Sequence, residues 1–132
     1  MKIYDCFMFS DEKMLLELRL NTLDSFVDKF IIAEASYFHN GDKKKLNFNI
    51  NDYGKFRDKI DYIVIKDQPP GILEIKKNDN QNQIDEKKIL NSISRDNFQR
   101  EQLNKRLNNL EEDDLIIISD LDEIPDLRKI DL

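Results

Sequence analysis

Four short apolar runs punctuate an otherwise polar chain. They are Ile3-Tyr4-Asp5-Cys6-Phe7-Met8-Phe9, Phe30-Ile31-Ile32-Ala33, Tyr62-Ile63-Val64-Ile65 and Leu115-Ile116-Ile117-Ile118. The first, from Lys2 to Phe9, is rich in β-branched and aromatic residues and reads as a strand. The other three are continuous and short, as expected of strands buried on both faces. Helical patterns separate them. Ser10 suits an N-cap and Asp11-Glu12 a first turn. Met14, Leu15, Leu18, Leu20 and Leu23 then recur at helical spacing, which predicts a helix over 11–23. A short helix is expected over 50–59 and a long one over 85–110. Residues 35–49 read as a loop. Gln68-Pro69-Pro70-Gly71 breaks the chain, and the polar stretch after it predicts a mobile loop near 67–85. Strands alternating with helices imply a single α/β domain with a mainly parallel sheet. In such sheets ligands sit at the carboxyl ends of the strands. That rule selects Phe7–Ser10, Glu34–Ser36, Lys66–Gln68 and Ser119–Glu123.

Composition narrows the function classes. The 132 residues are 39% apolar and 36% charged, with 27 acids against 21 bases and a net charge of −6. No basic stripe is present, so nucleic acid is not an expected partner. The short run Lys43-Lys44-Lys45 reads as a solvated loop or as a small anion contact. Cys6 is the one cysteine, so no internal disulfide exists, and its apolar run marks it as buried. No apolar stretch approaches the roughly 20 residues needed to span a bilayer, and no signal peptide is visible. The expected location is cytoplasmic. His39 has no second His or Cys to complete a zinc site. With three glycines, the chain carries neither a phosphate-binding loop nor a dinucleotide fingerprint.

Three constellations remain. The first is Ser119-Asp120-Leu121-Asp122-Glu123, directly after an apolar strand. Strand alternation would set Asp120 and Asp122 on one side. Converging carboxylates are costly unless compensated, and Mn²⁺ or Mg²⁺ takes oxygen ligands and completes its shell with phosphates. The competing reading is a solvated acidic turn. The second lies on the long helix. At 100° per residue Ile89, Ile93, Leu103 and Leu107 form an apolar face, with Asp96 and Arg100 inside it and Arg95, Gln99, Gln102 and Arg106 along its flank. Asp96 and Arg100 either pair with each other or leave Arg95, Gln99 or Arg100 to reach a nucleotide or phosphate. The third is Glu34 at the end of the second strand, either an exposed strand-end acid or an acceptor for a ribose or base.

Taken in this order, these pieces resemble glycosyltransferase family 17, the family of the β-1,4-mannosyl-glycoprotein β-1,4-N-acetylglucosaminyltransferases. The matching residues are Ile3 to Phe9 with Glu17-Leu18-Arg19; Phe30 to Ser36 with Gly41, Lys45-Leu46 and Phe48; Arg95 with Gln99-Arg100; and Asp113 to Pro125. The resemblance implies a Rossmann-like GT-A nucleotide-diphospho-sugar transferase fold. It also implies a UDP-sugar donor such as UDP-N-acetylglucosamine, a glycan or glycoconjugate acceptor, and a Mn²⁺ or Mg²⁺ cofactor. Carried over, Asp120 and Asp122 hold the cation, and Glu34, Arg95, Gln99, Arg100 and Asp120 are donor-side residues. Members of the family continue past this motif, whereas the sequence stops at Leu132. The expectation is therefore a fold truncated after the Asp-x-Asp motif, without its acceptor part or an identified catalytic base. An unfinished sheet edge of that kind favours a homo-oligomer. A non-catalytic module binding a nucleotide sugar or a protein is the second reading. A phosphatase-like use of Asp120 as nucleophile is a third, weakened because the motif follows the fourth strand and Glu123 follows Asp122.

Overall fold

The computed structural model describes residues 1–132. Strands β1 (Ile3–Met8), β2 (Lys29–Ala35), β3 (Ile60–Ile65) and β4 (Leu115–Ile118) form one sheet in the order β3-β2-β1-β4, and every neighbouring pair is parallel. Helix α1 (Lys13–Leu23) links β1 to β2, a 3₁₀ segment (Ile50–Lys59) precedes β3, and helix α2 (Gln81–Leu103) leads toward β4. The architecture is mixed α/β with a Rossmann-like strand order. No helix is long and apolar enough to cross a membrane.

The sheet separates two apolar cores. On one face Leu16, Leu20 and Leu23 of α1 meet Phe7, Phe30 and Ile32, with Tyr53 and Phe56 of the 3₁₀ segment beside them. Burying each of those leucines contributes about 1.5–3 kcal/mol. On the other face Leu103, Phe98 and Leu107 cover Tyr4, Cys6, Ile31 and Ala33. The central strands are sealed on both sides, as the continuous apolar run of β2 predicts. Burial pushes the Cys6 thiol up to about 12.

The edge strands depart from expectation. β3 and β4 each have one neighbour, and their residues are largely half-buried or exposed; Ile118 is 51% exposed. An apolar run is compatible with full burial but does not supply the covering layer.

Helix boundaries also shift. α1 begins two residues later than predicted, and Ser10 does not cap it. The Phe9 N–H pairs with the Ala33 carbonyl, which keeps the chain extended there, and the Ser10 carbonyl accepts from Asn47. α2 begins earlier, because Asn80 and Gln83 form a reciprocal capping box at 2.9 and 2.8 Å. Residues 81–85, expected within a loop, are thus its first turn. It ends at Leu103, ahead of Asn104, Asn108 and Asn109, a residue type that competes for backbone hydrogen bonds. Asn109 takes φ 57°. The irregular stretch before α2 is fastened to it by Asn91, which both accepts from the Leu73 N–H and donates to the Leu73 carbonyl.

The face of α2 is the largest correction. Ile89 and Ile93, assigned to the packing stripe, are 61% and 52% exposed. Asn91, Arg95, Gln99, Gln102 and Leu103 turn inward instead. The polar groups tolerate this because loop residues meet several of them: Arg95 donates to the Gln68 side chain at 2.7 Å and to the His39 carbonyl at 2.9 Å.

Candidate functional site

A cleft of about 840 Å³ opens over the carboxyl ends of β1 and β4. The strand order reverses at this pair, since the connection from β1 runs one way to β2 and β3 and the chain then returns to β4. Such switch points are where open α/β sheets place ligands. Met8, Phe9 and Ser10 come from the end of β1, and Asp120, Leu121 and Asp122 from the end of β4. Ser92, Ile93, Asp96, Gln99 and Arg100 come from α2, and Tyr37, Phe38, His39 and Lys44 from the loop after β2.

The acidic turn is built from beneath. β4 stops at Ile118, so Asp120 and Asp122 do not sit on an extended strand, contrary to the alternation argument. A turn closed by the Glu123 N–H on the Asp120 carbonyl, at 2.9 Å, brings them together instead. Oxygen atoms of Asp120, Asp122 and Glu123 lie within 4.8 Å of one another. Asp122 and Glu123 are exposed and Asp120 is partly so. This all-oxygen, carboxylate-only set suits a hard divalent cation.

Arg19 holds that turn from inside the protein. Its fully buried guanidinium donates to both Asp5 oxygens at 2.7 and 2.9 Å, and to the carbonyls of Asp120, Leu121 and Glu123. It also donates to the Ser119 hydroxyl and lies over the Phe7 ring, 4.6 Å from the centroid. The planar fork of arginine, with five N–H groups, can serve a carboxylate and a turn together.

Arg100 meets the same turn from above. Its Nη2 donates to Asp120 Oδ1 at 2.5 Å and its Nε to Asp96 Oδ2 at 3.2 Å. Arg100 holds the Asp120 carboxyl below the usual aspartate range, chiefly through that hydrogen bond. The Glu123 carboxyl is held above its usual range by its hydrogen bond with Asp120 and by the charge of that neighbour. His39 Nε2 lies 3.7 Å from Asp96 Oδ1 on the cleft wall.

A model of glycosyltransferase family 17 matches residues 1–132. The chain belongs to glycosyltransferase family 17. Neither a curated protein nor a solved structure matches it. Family membership makes this a transferase-type domain, with a sugar donor and a glycan acceptor as its substrate classes.

Within this family 17 chain the predicted site residues fall into two groups. Asp120, Asp122, Gln99 and Arg100 line the cleft. The Asp96–Arg100 pair is present, with Asp120 as an additional partner for Arg100. Gln99 is 6% exposed, and its amide nitrogen, near the Tyr37 hydroxyl, makes no hydrogen bond.

Arg95 and Glu34 lie behind the cleft wall. Arg95 packs against Gly41, whose φ is +93°; a Cβ there would stand 2.6 Å from Arg95 Nη2. Glu34 is fully buried rather than exposed at a strand end. It accepts from Lys44, from the Asn47 and Phe48 N–H groups at 2.8 and 3.0 Å, and from the Tyr62 hydroxyl at 2.8 Å. Lys44 is thereby committed to Glu34, while Lys43 and Lys45 are exposed.

The Arg19–Asp5 pair was not identified as part of the site from sequence. The signal was there: a lone Asp in an apolar strand, and a lone Arg between Leu16 and Leu23 on the packing face of a helix. Charges in such positions are almost never buried unless paired.

Proposed function

We propose that this chain binds the donor of a metal-dependent sugar transfer, with the donor's diphosphate in the cleft at the ends of β1 and β4, in a GT-A-like arrangement. The convergence of Asp120, Asp122 and Glu123 within 4.8 Å, at the topological switch point of a parallel sheet, carries this reading. Asp120 and Asp122 are the ligands for Mn²⁺ or Mg²⁺, which when bound supplies positive charge for the departing diphosphate. Arg19 fixes the backbone of the turn, so that its carboxylates meet a cation without reorganising. Arg100 offers N–H groups to the phosphates. Phe38, 47% exposed and lining the cleft, offers a ring face to the base or the sugar. Glu34 acts through the loop it fastens and does not touch the donor. The donor proposed is a UDP-sugar, with N-acetylglucosamine the sugar suggested by the family, and the acceptor is a glycan hydroxyl. In the transfer the acceptor oxygen bonds to the anomeric carbon, its proton passes to a general base or to water, and the bond from that carbon to the diphosphate breaks with its electron pair on the leaving group.

The test is calorimetric titration of UDP-N-acetylglucosamine in Mn²⁺ and then in excess chelator. Binding that requires Mn²⁺ and is lost in Asp122→Ala supports the reading. Binding undiminished by chelator sinks the cation's role.

A further inference from the structure

We propose that Arg100 is an exchange residue, paired with Asp120 while the acidic turn holds no cation and transferred to the donor's diphosphate when a divalent cation takes Asp120, so that cation and diphosphate bind cooperatively through it. The inference rests on the donor-site reading above and deepens it.

Arg100 is the one cation paired with the acidic cluster; Asp122 and Glu123 form no ion pair. It sits on one oxygen of the carboxylate that the cation needs, at 2.5 Å. A guanidinium does not lose its proton in a protein, so Arg100 cannot vacate Asp120 by deprotonation. A guanidinium and a divalent ion on the same carboxylate repel each other over a few ångströms. A cation arriving alone therefore displaces a favourable partner. A cation arriving with a diphosphate gives that partner a new anion.

The geometry permits the move. The Arg100 side chain is 37% exposed, and its Nε is held by Asp96, which serves as a pivot. Its Nη1 makes no hydrogen bond and remains free to donate. Beside it Gln99 lines the same cleft, its buried amide nitrogen lying against the Tyr37 hydroxyl. Coupling of this kind is reciprocal: whatever factor the diphosphate adds to cation affinity, the cation adds to diphosphate affinity.

The experiment is Mn²⁺ titration followed by the electron paramagnetic resonance signal of the free ion, with and without saturating UDP. It compares the unmodified chain with Arg100→Gln, Arg100→Lys and Asp122→Asn. Arg100→Gln is expected to bind Mn²⁺ alone about three- to tenfold more tightly, because a competing charge is gone. The enhancement by UDP is expected to shrink about tenfold in the same variant. Arg100→Lys keeps the charge without the fork; its affinity for Mn²⁺ alone is expected to stay near that of the unmodified chain while the enhancement by UDP falls. Loss of Mn²⁺ in Asp122→Asn places the ion at this cluster. If Arg100→Gln binds Mn²⁺ no more tightly and UDP still enhances it fully, the exchange is overturned and the donor site stands. If UDP changes Mn²⁺ affinity in none of the proteins, the donor-site reading falls and takes the exchange with it.

Discussion

Arg19 grips Asp120 by its backbone, its Nη1 donating to the carbonyl at 2.7 Å from the interior of the protein. The same guanidinium neutralises Asp5 in the middle of β1, so one side chain joins the core of the sheet to the acidic turn. Arg19→Met leaves a buried carboxylate unpaired and is expected to cost about 3–5 kcal/mol of stability. Adding Asp5→Asn removes that charge and should restore part of the loss in a denaturant melt. It does not restore the bonds to the turn, so Mn²⁺ affinity is expected to stay low in the double variant. Recovery of both properties together would show that Arg19 supports the fold and not the turn.

Glu34 has two donors on each carboxylate oxygen: Lys44 and the Asn47 N–H on one, the Phe48 N–H and the Tyr62 hydroxyl on the other. Turned one way, the Glu34→Gln NH₂ meets two obligate donors, Lys44 and the Asn47 N–H; turned the other way it still meets the Phe48 N–H, since only the Tyr62 hydroxyl can rotate to accept. The expected cost is about 3 kcal/mol, large for an isosteric change. Thermal melts of Glu34→Gln and Glu34→Ala would check it. A change below about 0.5 kcal/mol, the usual scatter for surface positions, would contradict the buried network.

Gly41 is the glycine whose conformation the site requires. Gly41→Ala meets a positive φ and the Arg95 guanidinium at 2.6 Å, and that guanidinium is anchored by Gln68 and the His39 carbonyl. A loss of about 1–3 kcal/mol is expected, with movement of the His39 loop. Gly54, with open space around it and no positive φ, is the control.

Acid should loosen the start of the β1–β4 pairing. The Asp114 carboxylate accepts from the Glu111 and Lys2 N–H groups, each at 2.8 Å, and these bonds hold its carboxyl below the usual aspartate range. A depressed folded value means that its stabilisation is complete above the unfolded value and disappears as pH falls through the folded one. Melting temperature against pH should therefore have an acid limb that flattens in Asp114→Asn. An identical limb in both proteins would remove Asp114 as its source.

Much of the fold was legible in the sequence, since four short apolar runs separated by helical patterns leave little choice but strands alternating with helices, although full burial was met only in the central ones. The acidic motif was legible too, because its residues are contiguous. The inward face of α2 was not. Ile89 and Ile93 gave a helical stripe, yet Arg95 and Gln102 are the buried ones, and Arg95 depends on a carbonyl and an amide from distant loops. Periodicity registers apolar area and is blind to partners supplied from elsewhere in the chain. The same blindness hid Arg19, whose acceptors lie at both ends of the sequence, and it left Glu34 as either an exposed acid or a ligand acceptor when its donors are spread from Lys44 to Tyr62.

The burial of Cys6 gives the molecule an internal clock. Its sulfur sits in the central strand with no exposure and a raised thiol, under α2 and between β2 and β4. A thiol reagent can reach it only when α2 lifts from the sheet or the sheet itself opens, because the thiolate is both shielded and scarce in the native state. The rate of modification of this single sulfur therefore reports the opening of the layer between α2 and the sheet, and ligands that tighten the far end of β1 against α2 should slow it.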